Sequence, residues 1–181
     1  MSLIILDRDG VINKDSDSFI KNPAEWEPIA GSLEAIARLG YAGYRVVVIT
    51  NQSGIARGLF DATMLSHIHS KMRRMVGQLG GKIDAIFYCS HGPDSDCRCR
   101  KPDCGAYESL SQRLRVDLSG VPAVGDALRD IQAAQHIQAQ PILVKTGKGR
   151  QTIANPDFPP NVPVYDDLAA VTEALLERKR I

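Results

Sequence analysis

Short apolar runs alternate along this chain with stretches in which apolar residues recur every three or four positions. Residues 3–6, 45–50, 83–89, 121–125 and 142–145 are rich in β-branched side chains, and most are continuously apolar. That is the pattern of strands covered on both faces. Between them Leu33, Ile36 and Leu39 mark a first helix. Leu65, Ile68, Met72, Met75, Val76 and Leu79 mark a second, with Asp61 placed to cap its N-terminus. Tyr107, Leu110 and Leu114, then Ile131 and Ala134, and finally Leu168, Val171 and Leu175 mark three more. These stripes are read as core. The alternation predicts an α/β fold: a Rossmann-like three-layer α/β/α arrangement around a central parallel sheet, with no large cap domain. Residues 155–163 (NPDFPPNVP) form a proline-rich loop before the last strand and helix, so residues 1–181 read as one domain. In this architecture ligands gather at the carboxyl ends of the strands.

Composition narrows the partners. The chain has 181 residues, 44% of them hydrophobic and 24% charged, and a formal net charge of +1. This gives no general drive toward nucleic acid or an anionic membrane. No apolar run approaches the roughly 20 residues that span a bilayer, and Asp7 arrives too early for a signal-peptide core. A cytoplasmic monomer with a small-molecule substrate is expected, with neither membrane nor nucleic acid as partner. In that reducing compartment the four cysteines are expected as metal ligands or reactive thiols rather than disulfides.

Polar chemistry falls where the strands end. Asp7-Arg8-Asp9-Gly10-Val11-Ile12-Asn13 follows the first strand, and a turn at Gly10 lets two carboxylates converge with different roles. Carboxylates held close repel unless a cation or proton neutralises them, and Mg2+, which prefers oxygen ligands, suits the task. Thr50, Asn51, Gln52 and Ser53 bring hydroxyl and amide donors suited to phosphate oxygens. Asp126 and Asp130 bring acids to the end of the fourth strand, and Lys101 lies past the third. The loop at residues 89–99 carries Cys89-x-His91 and Cys97-x-Cys99, separated by a five-residue turn-forming spacer. Two such pairs can supply the tetrahedral ligands of a structural Zn2+, and disulfide switching is the rival reading. Cys104 is a fifth candidate ligand, expected instead to be a free, buried thiol. His67, His69 and His136 fall on helical stretches and are assigned no function.

The order Asp-x-Asp-Gly, Thr-Asn, Lys and Gly-Asp-x-x-x-Asp resembles the haloacid dehalogenase (HAD) superfamily. The nearer resemblance is to its D-glycero-D-manno-heptose 1,7-bisphosphate phosphatases and the related histidinol phosphatases. It rests on residues 7–13, residues 50–58 (TNQSGIARG), the Cys/His cluster running into Arg100-Lys101-Pro102, and residues 124–130, and it extends over nearly the whole chain. The resemblance implies that Asp7 attacks phosphorus to form an aspartyl-phosphate. Asp9 would then act as general acid and base, and Thr50 and Lys101 would hold the transferring phosphoryl group. Mg2+ would be held by Asp7, the Asp9 backbone carbonyl and Asp126, with Asp130 orienting its neighbours. The implied sugar site comprises Asp15, Ser16, Asp17 and Ser18 together with Asn51, Gln52 and Ser53. Arg100 is read as recognising a second anionic group beside Lys101. Arg57, Lys148 and Arg150 are either auxiliary anion contacts or solvated charges. The implied reaction is removal of the 7-phosphate of the bisphosphate, on the way to nucleotide-activated heptose for lipopolysaccharide or another surface glycan. Histidinol phosphate hydrolysis is the alternative. A polynucleotide 3′-phosphatase or zinc-bearing nucleic-acid module is a third reading that the neutral charge disfavours. Ala127 departs from relatives that carry Lys or Ser after Gly-Asp.

Overall fold

In the computed structural model, which describes residues 2–178, six strands form one parallel sheet. In chain order the elements are β1 (Ser2–Leu6), α1 (Ser32–Tyr41), β2 (Tyr44–Asn51), α2 (Ala62–Gln78), β3 (Ala85–Cys89) and α3 (Gly105–Leu114). They continue with β4 (Pro122–Gly125), α4 (Leu128–His136), β5 (Gln140–Val144), α5 (Gly149–Ile153), β6 (Val164–Tyr165) and α6 (Leu168–Arg178). The sheet order is β3-β2-β1-β4-β5-β6. The chain therefore builds outward from β1 to β3, then returns to the centre and builds the other half from β4.

The two-residue period of a strand divides each run between two cores. Ile4, Leu6, Val46 and Val48 pack with Ile36, Leu39, Ile68, Met72 and Val171, so α1, α2 and α6 cover one face. Leu3, Ile5, Val47 and Ile49 pack with Tyr107, Leu110, Ala133 and Ala134, so α3 and α4 cover the other. Each large aliphatic side chain removed from water in this way contributes roughly 1.5–3 kcal/mol. Asp61 caps α2 as the sequence predicts, its carboxylate accepting from Met64 N at 2.8 Å.

Several boundaries differ from the hydrophobic pattern by a residue or two. The third strand starts at Ala85, two residues later than expected, although Asp84 N already donates to Val46 O at 2.8 Å. It is an edge strand, and its Tyr88 is exposed, so it is not covered on both faces. The fifth strand begins at Gln140 and ends before Lys145. The short α5 carries no apolar period and was not anticipated.

The connection from β1 to α1 folds back over the sheet edge instead of forming a separate cap. Trp26 is its fully buried anchor, and Lys71 Nζ ties it down by donating to Pro23 O at 2.7 Å and Trp26 O at 2.8 Å. Residues 15–20 of this connection thereby reach the carboxyl ends of the strands.

Candidate functional site

β1 and β4 are neighbours with Leu6 opposite Val124, so Asp7 and Asp126 emerge side by side where the sheet order reverses. A crevice opens at such a point because the flanking connections leave on opposite faces. Gly10 turns the chain after β1 with φ 81°, a conformation that L side chains resist. A Cβ there would also collide with Asp126 Oδ2, as would one at Gly147. These two glycines let two loops close directly over the Asp126 carboxylate.

Asp7, Asp126 and Asp130 each offer an oxygen, and these oxygens lie within 4.8 Å of one another. Asp126 Oδ2 accepts from Lys148 N at 2.7 Å, whereas its Oδ1 is buried and without a hydrogen-bond partner. Burial, then the Asp130 and Asp7 charges, push the Asp126 carboxyl up to about 8. Burial likewise raises Asp7 to about 6, against the pull of Lys101. A crowded acid cluster with an orphaned oxygen fits a divalent cation, which would keep these groups ionised. Asp130 is already engaged: its Oδ1 pairs with Lys101 Nζ at 2.7 Å and its Oδ2 accepts from Ala127 N at 3.0 Å. That suits an orienting part. The Asp9 carboxylate stands outside the acid cluster, leaving only its backbone carbonyl for the expected metal contact.

Lys101 is buried beneath Asp7. Its ammonium lies 3.0 Å from Asp7 Oδ1 and 2.7 Å from Asp130 Oδ1 in two ion pairs, and it donates a hydrogen bond to Ile49 O at 2.8 Å. Although burial opposes it, the Asp130 and Asp7 carboxylates raise Lys101 above its ordinary range. Asn51 clamps the Lys101 backbone from both sides, accepting from Lys101 N at 3.1 Å and donating to Lys101 O at 3.0 Å. Lys101 therefore acts on the cleft through its charge and through Asp7 rather than by lining it.

Asp9 sits in a cradle the sequence did not reveal. Arg8, fully buried, donates to it from Nε at 3.0 Å and Nη2 at 2.9 Å. Asn13 Nδ2 at 2.9 Å and Gln52 Nε2 at 3.0 Å complete the cradle. Arg8 Nη1 also lies 3.2 Å from Nε2 of His69. Burial and the adjacent guanidinium push His69 down to about 3, so the ring is neutral and accepts this bond. His69, read from the sequence as having no function, thus holds the residue that holds Asp9. Against burial, Arg8 and these hydrogen bonds keep Asp9 below the ordinary carboxylate range. Gln52 spends its amide on Asp9, on Thr50 Oγ1 at 2.9 Å and on Arg8.

A cleft of about 200 Å³ opens above these groups. Asp7, Asp9 and residues 50–53 form its floor, Asp15, Ser16, Asp17, Phe19 and Ile20 one wall, and Arg100, Arg129 and Lys148 supply cations. Ser18, an expected sugar contact, is exposed and does not line it; Phe19 and Ile20 do. Arg57 and Arg150 do not line it either. Arg129 was not singled out, although a basic residue in the first turn of a helix opposes the helix dipole and is itself a signal.

The second cluster lies where β3 ends. Cys89, His91, Cys97 and Cys99 place four ligand atoms within 4.8 Å of one another. Cys89 Sγ is 3.7 Å from Cys97 Sγ and 3.6 Å from His91 Nδ1, and His91 Nδ1 is 3.3 Å from Cys99 Sγ. Edges near 3.7 Å are what a tetrahedron with metal–sulfur bonds of about 2.3 Å requires. Cys89 and Cys99 approach to 2.8 Å, too far for a disulfide, and all four cysteines are free. Arg100 Nη1 donates to His91 O at 3.3 Å, which ties the arginine to this loop. Cys104 stays outside the cluster and is half-buried rather than buried, because its position before α3 directs Sγ to Glu108 Oε1 at 3.2 Å.

Residues 98–171 match the HAD-hydrolase-like family model. The chain is 58% identical over 177 residues to D-glycero-β-D-manno-heptose-1,7-bisphosphate 7-phosphatase of Bordetella bronchiseptica, covering 98% of this chain and 99% of that protein. It is 52% identical to the Pseudomonas aeruginosa protein of the same name, covering 97% and 98%. Among solved structures, the D,D-heptose 1,7-bisphosphate phosphatase from B. bronchiseptica, complexed with magnesium and phosphate, superposes with a TM-score of 0.96 at 57% identity over 98% and 99% of the two chains.

Proposed function

The chain belongs to the D-glycero-β-D-manno-heptose-1,7-bisphosphate 7-phosphatases of the HAD-like hydrolases, and from that membership we propose that it removes the 7-phosphate of this sugar bisphosphate through an aspartyl-phosphate. The near-full-length identity of 58%, joined to the acid cluster at the β1/β4 crevice, carries the reading.

One Asp7 oxygen is steered by Lys101, which leaves the other to attack phosphorus. Thr50 and Ser53 line the floor as hydroxyl donors to the phosphoryl oxygens. Asp9 is held in the floor of the cleft as an anion. A bound phosphate dianion beside it raises its proton affinity, so that it takes up a proton from solvent and delivers that proton to the departing sugar oxygen. It then takes one from the water that hydrolyses the aspartyl-phosphate. Asp7, Asp126 and the Asp9 carbonyl would hold Mg2+, which supplies positive charge against the repulsion between nucleophile and phosphate. The relative solved with magnesium and phosphate supports this cofactor.

The Cys89, His91, Cys97 and Cys99 quartet is assigned to a structural Zn2+ whose four protein ligands leave no open position. Its task is to fix the loop that presents Arg100 and Lys101. By family membership, the reaction is assigned to the cytoplasm, ahead of nucleotide activation of heptose for a surface glycan. Among the described residues no helix is long and apolar enough to cross a membrane.

Histidinol phosphate would place a cationic amine near Arg100, Arg129 and Lys148, which disfavours it. Phosphate release from the two substrates, measured at equal concentration with Mg2+, decides between them. Faster turnover of histidinol phosphate would overturn the assignment.

A further inference from the structure

The turn between β5 and α5 reaches back across the sheet edge to the acids of the site. Thr146 Oγ1 donates to Gly10 O at 2.6 Å, Lys148 N to Asp126 Oδ2 at 2.7 Å and Thr152 Oγ1 to Asp126 O at 2.8 Å. Residues 146–152 thus hold both segments that supply the cation's expected ligands. One is the turn after β1, with Asp7 and the Asp9 carbonyl, and the other is the end of β4, with Asp126.

Nothing local calls for these bonds. A threonine in a helix can return its hydroxyl to the carbonyl four residues back. For Thr152 that carbonyl is Lys148 O, which already accepts Thr152 N at 2.9 Å. The buried hydroxyl passes it by for Asp126 O, 26 positions away in the chain. The turn is also fitted closely to what it holds. A Cβ on Gly147 would overlap both Asp126 Oδ2 and Gly10 Cα, and one on Gly149 would overlap Val144 O.

The result is an Asp126 carboxylate with one oxygen held by Lys148 N and the other, Oδ1, buried and without a partner. A fixed carboxylate matters differently to different ions. Mg2+ demands near-octahedral oxygens at about 2.0–2.1 Å, whereas Ca2+ takes oxygens at about 2.3–2.6 Å in flexible arrangements. A spacing held at the smaller ion's distance excludes the larger ion, and a spacing free to widen admits both. The B. bronchiseptica relative, which superposes with a TM-score of 0.96, was solved with magnesium.

We propose that Thr146 and Thr152 are positioning residues for the cation site. With Lys148 N they form a clasp that sets the spacing between the β1 turn and Asp126, and with it the preference for Mg2+ over Ca2+. The inference rests on the magnesium site of the proposed function. Neither hydroxyl is itself a ligand, because each is spent on a backbone carbonyl.

The test is titration calorimetry of Mg2+, and separately of Ca2+, into the whole protein dialysed free of both ions. Removing a hydrogen bond behind a metal ligand weakens metal affinity by roughly 10-fold or more. Thr152→Val keeps the shape and removes the donor. It should weaken Mg2+ by about that factor and Ca2+ far less, so that the Mg2+/Ca2+ affinity ratio falls. Thr146→Val should move the ratio the same way, and Thr152→Ser, which keeps the hydroxyl, should hold it near wild type. The melting temperature without added ion certifies each variant as folded. If Thr152→Val does not fold, Thr146→Val, at a half-buried position, carries the same comparison. Unchanged Mg2+ affinity in the valine variants, or equal losses for both ions, would overturn the proposal and leave the threonines a part in folding alone. Magnesium binding by the wild type without phosphate release from the bisphosphate would instead overturn the proposed function.

Discussion

Asp126→Asn separates the electrostatic cost of assembling the acid cluster from its benefit. In the metal-free protein burial and neighbouring carboxylates hold Asp126 at about 8 and Asp7 at about 6, from 3.8. The unfolded chain releases both protons near pH 4, so above that the folded state binds more protons than the unfolded. The stability this confers is complete below about pH 4 and is lost as pH rises through 6 and then 8. A cation that needs the ionised Asp126 carboxylate competes with its proton on the order of 10³-fold less well at pH 5 than at pH 8. At saturating magnesium that difference is on the order of 4 kcal/mol, and Asp7 adds little because it shares the same repulsion. The assay is thermal unfolding of protein dialysed free of magnesium without a chelator, which spares the zinc loop. Magnesium should raise Tm by about 10 °C at pH 8 and far less at pH 5. His69, pushed down to about 3, destabilises the protein as pH falls below 6.5, but it does so with or without magnesium and cancels in the difference. Asp126→Asn should show no magnesium shift and should melt above the metal-free wild type at pH 8. Equal magnesium shifts at the two pH values, or a persisting shift in the Asn variant, would refute the electrostatic account.

Asp7→Asn should abolish phosphate release while keeping a native circular dichroism spectrum, because it removes the nucleophile but keeps the shape; wild-type turnover in the purified variant would end the aspartyl-phosphate reading. Cys97→Ser should lose bound zinc in elemental analysis and weaken activity through Arg100, whereas Cys104→Ser should retain full zinc, its thiol lying outside the cluster. Gly10→Ala should cost at least about 2 kcal/mol in denaturant unfolding, since it combines left-handed strain with a Cβ overlapping Asp126. His69→Leu should slow turnover and shift the acidic limb of the kcat/KM profile, because Arg8 loses the acceptor that orients it toward Asp9; an unchanged profile would restrict His69 to packing.

The cores were legible because burial writes a period into the chain. Ile4 and Leu6 against Leu3 and Ile5, or Ile68 and Met72 along α2, announce their faces by spacing alone. The edge position of β3 was not legible, because an apolar run reads the same whether one face or two are covered. The five-residue α5 escaped for a related reason: it is too short to show a period.

The acids of the site were visible for local reasons: Asp7, Asp9 and Asp126 each follow an apolar strand within three residues, and the Cys/His quartet falls inside eleven consecutive positions. What tertiary structure alone decided is how the remaining polar groups are spent. Arg8 meets His69 across 61 positions and Lys101 meets Ile49 across 52, so no local pattern could pair them. Lys101 is committed and Arg129 Nε has no partner for the same reason. Whether a buried charge has a partner depends on what distant segments deliver to it, and the sequence lists charges without saying which of them meet.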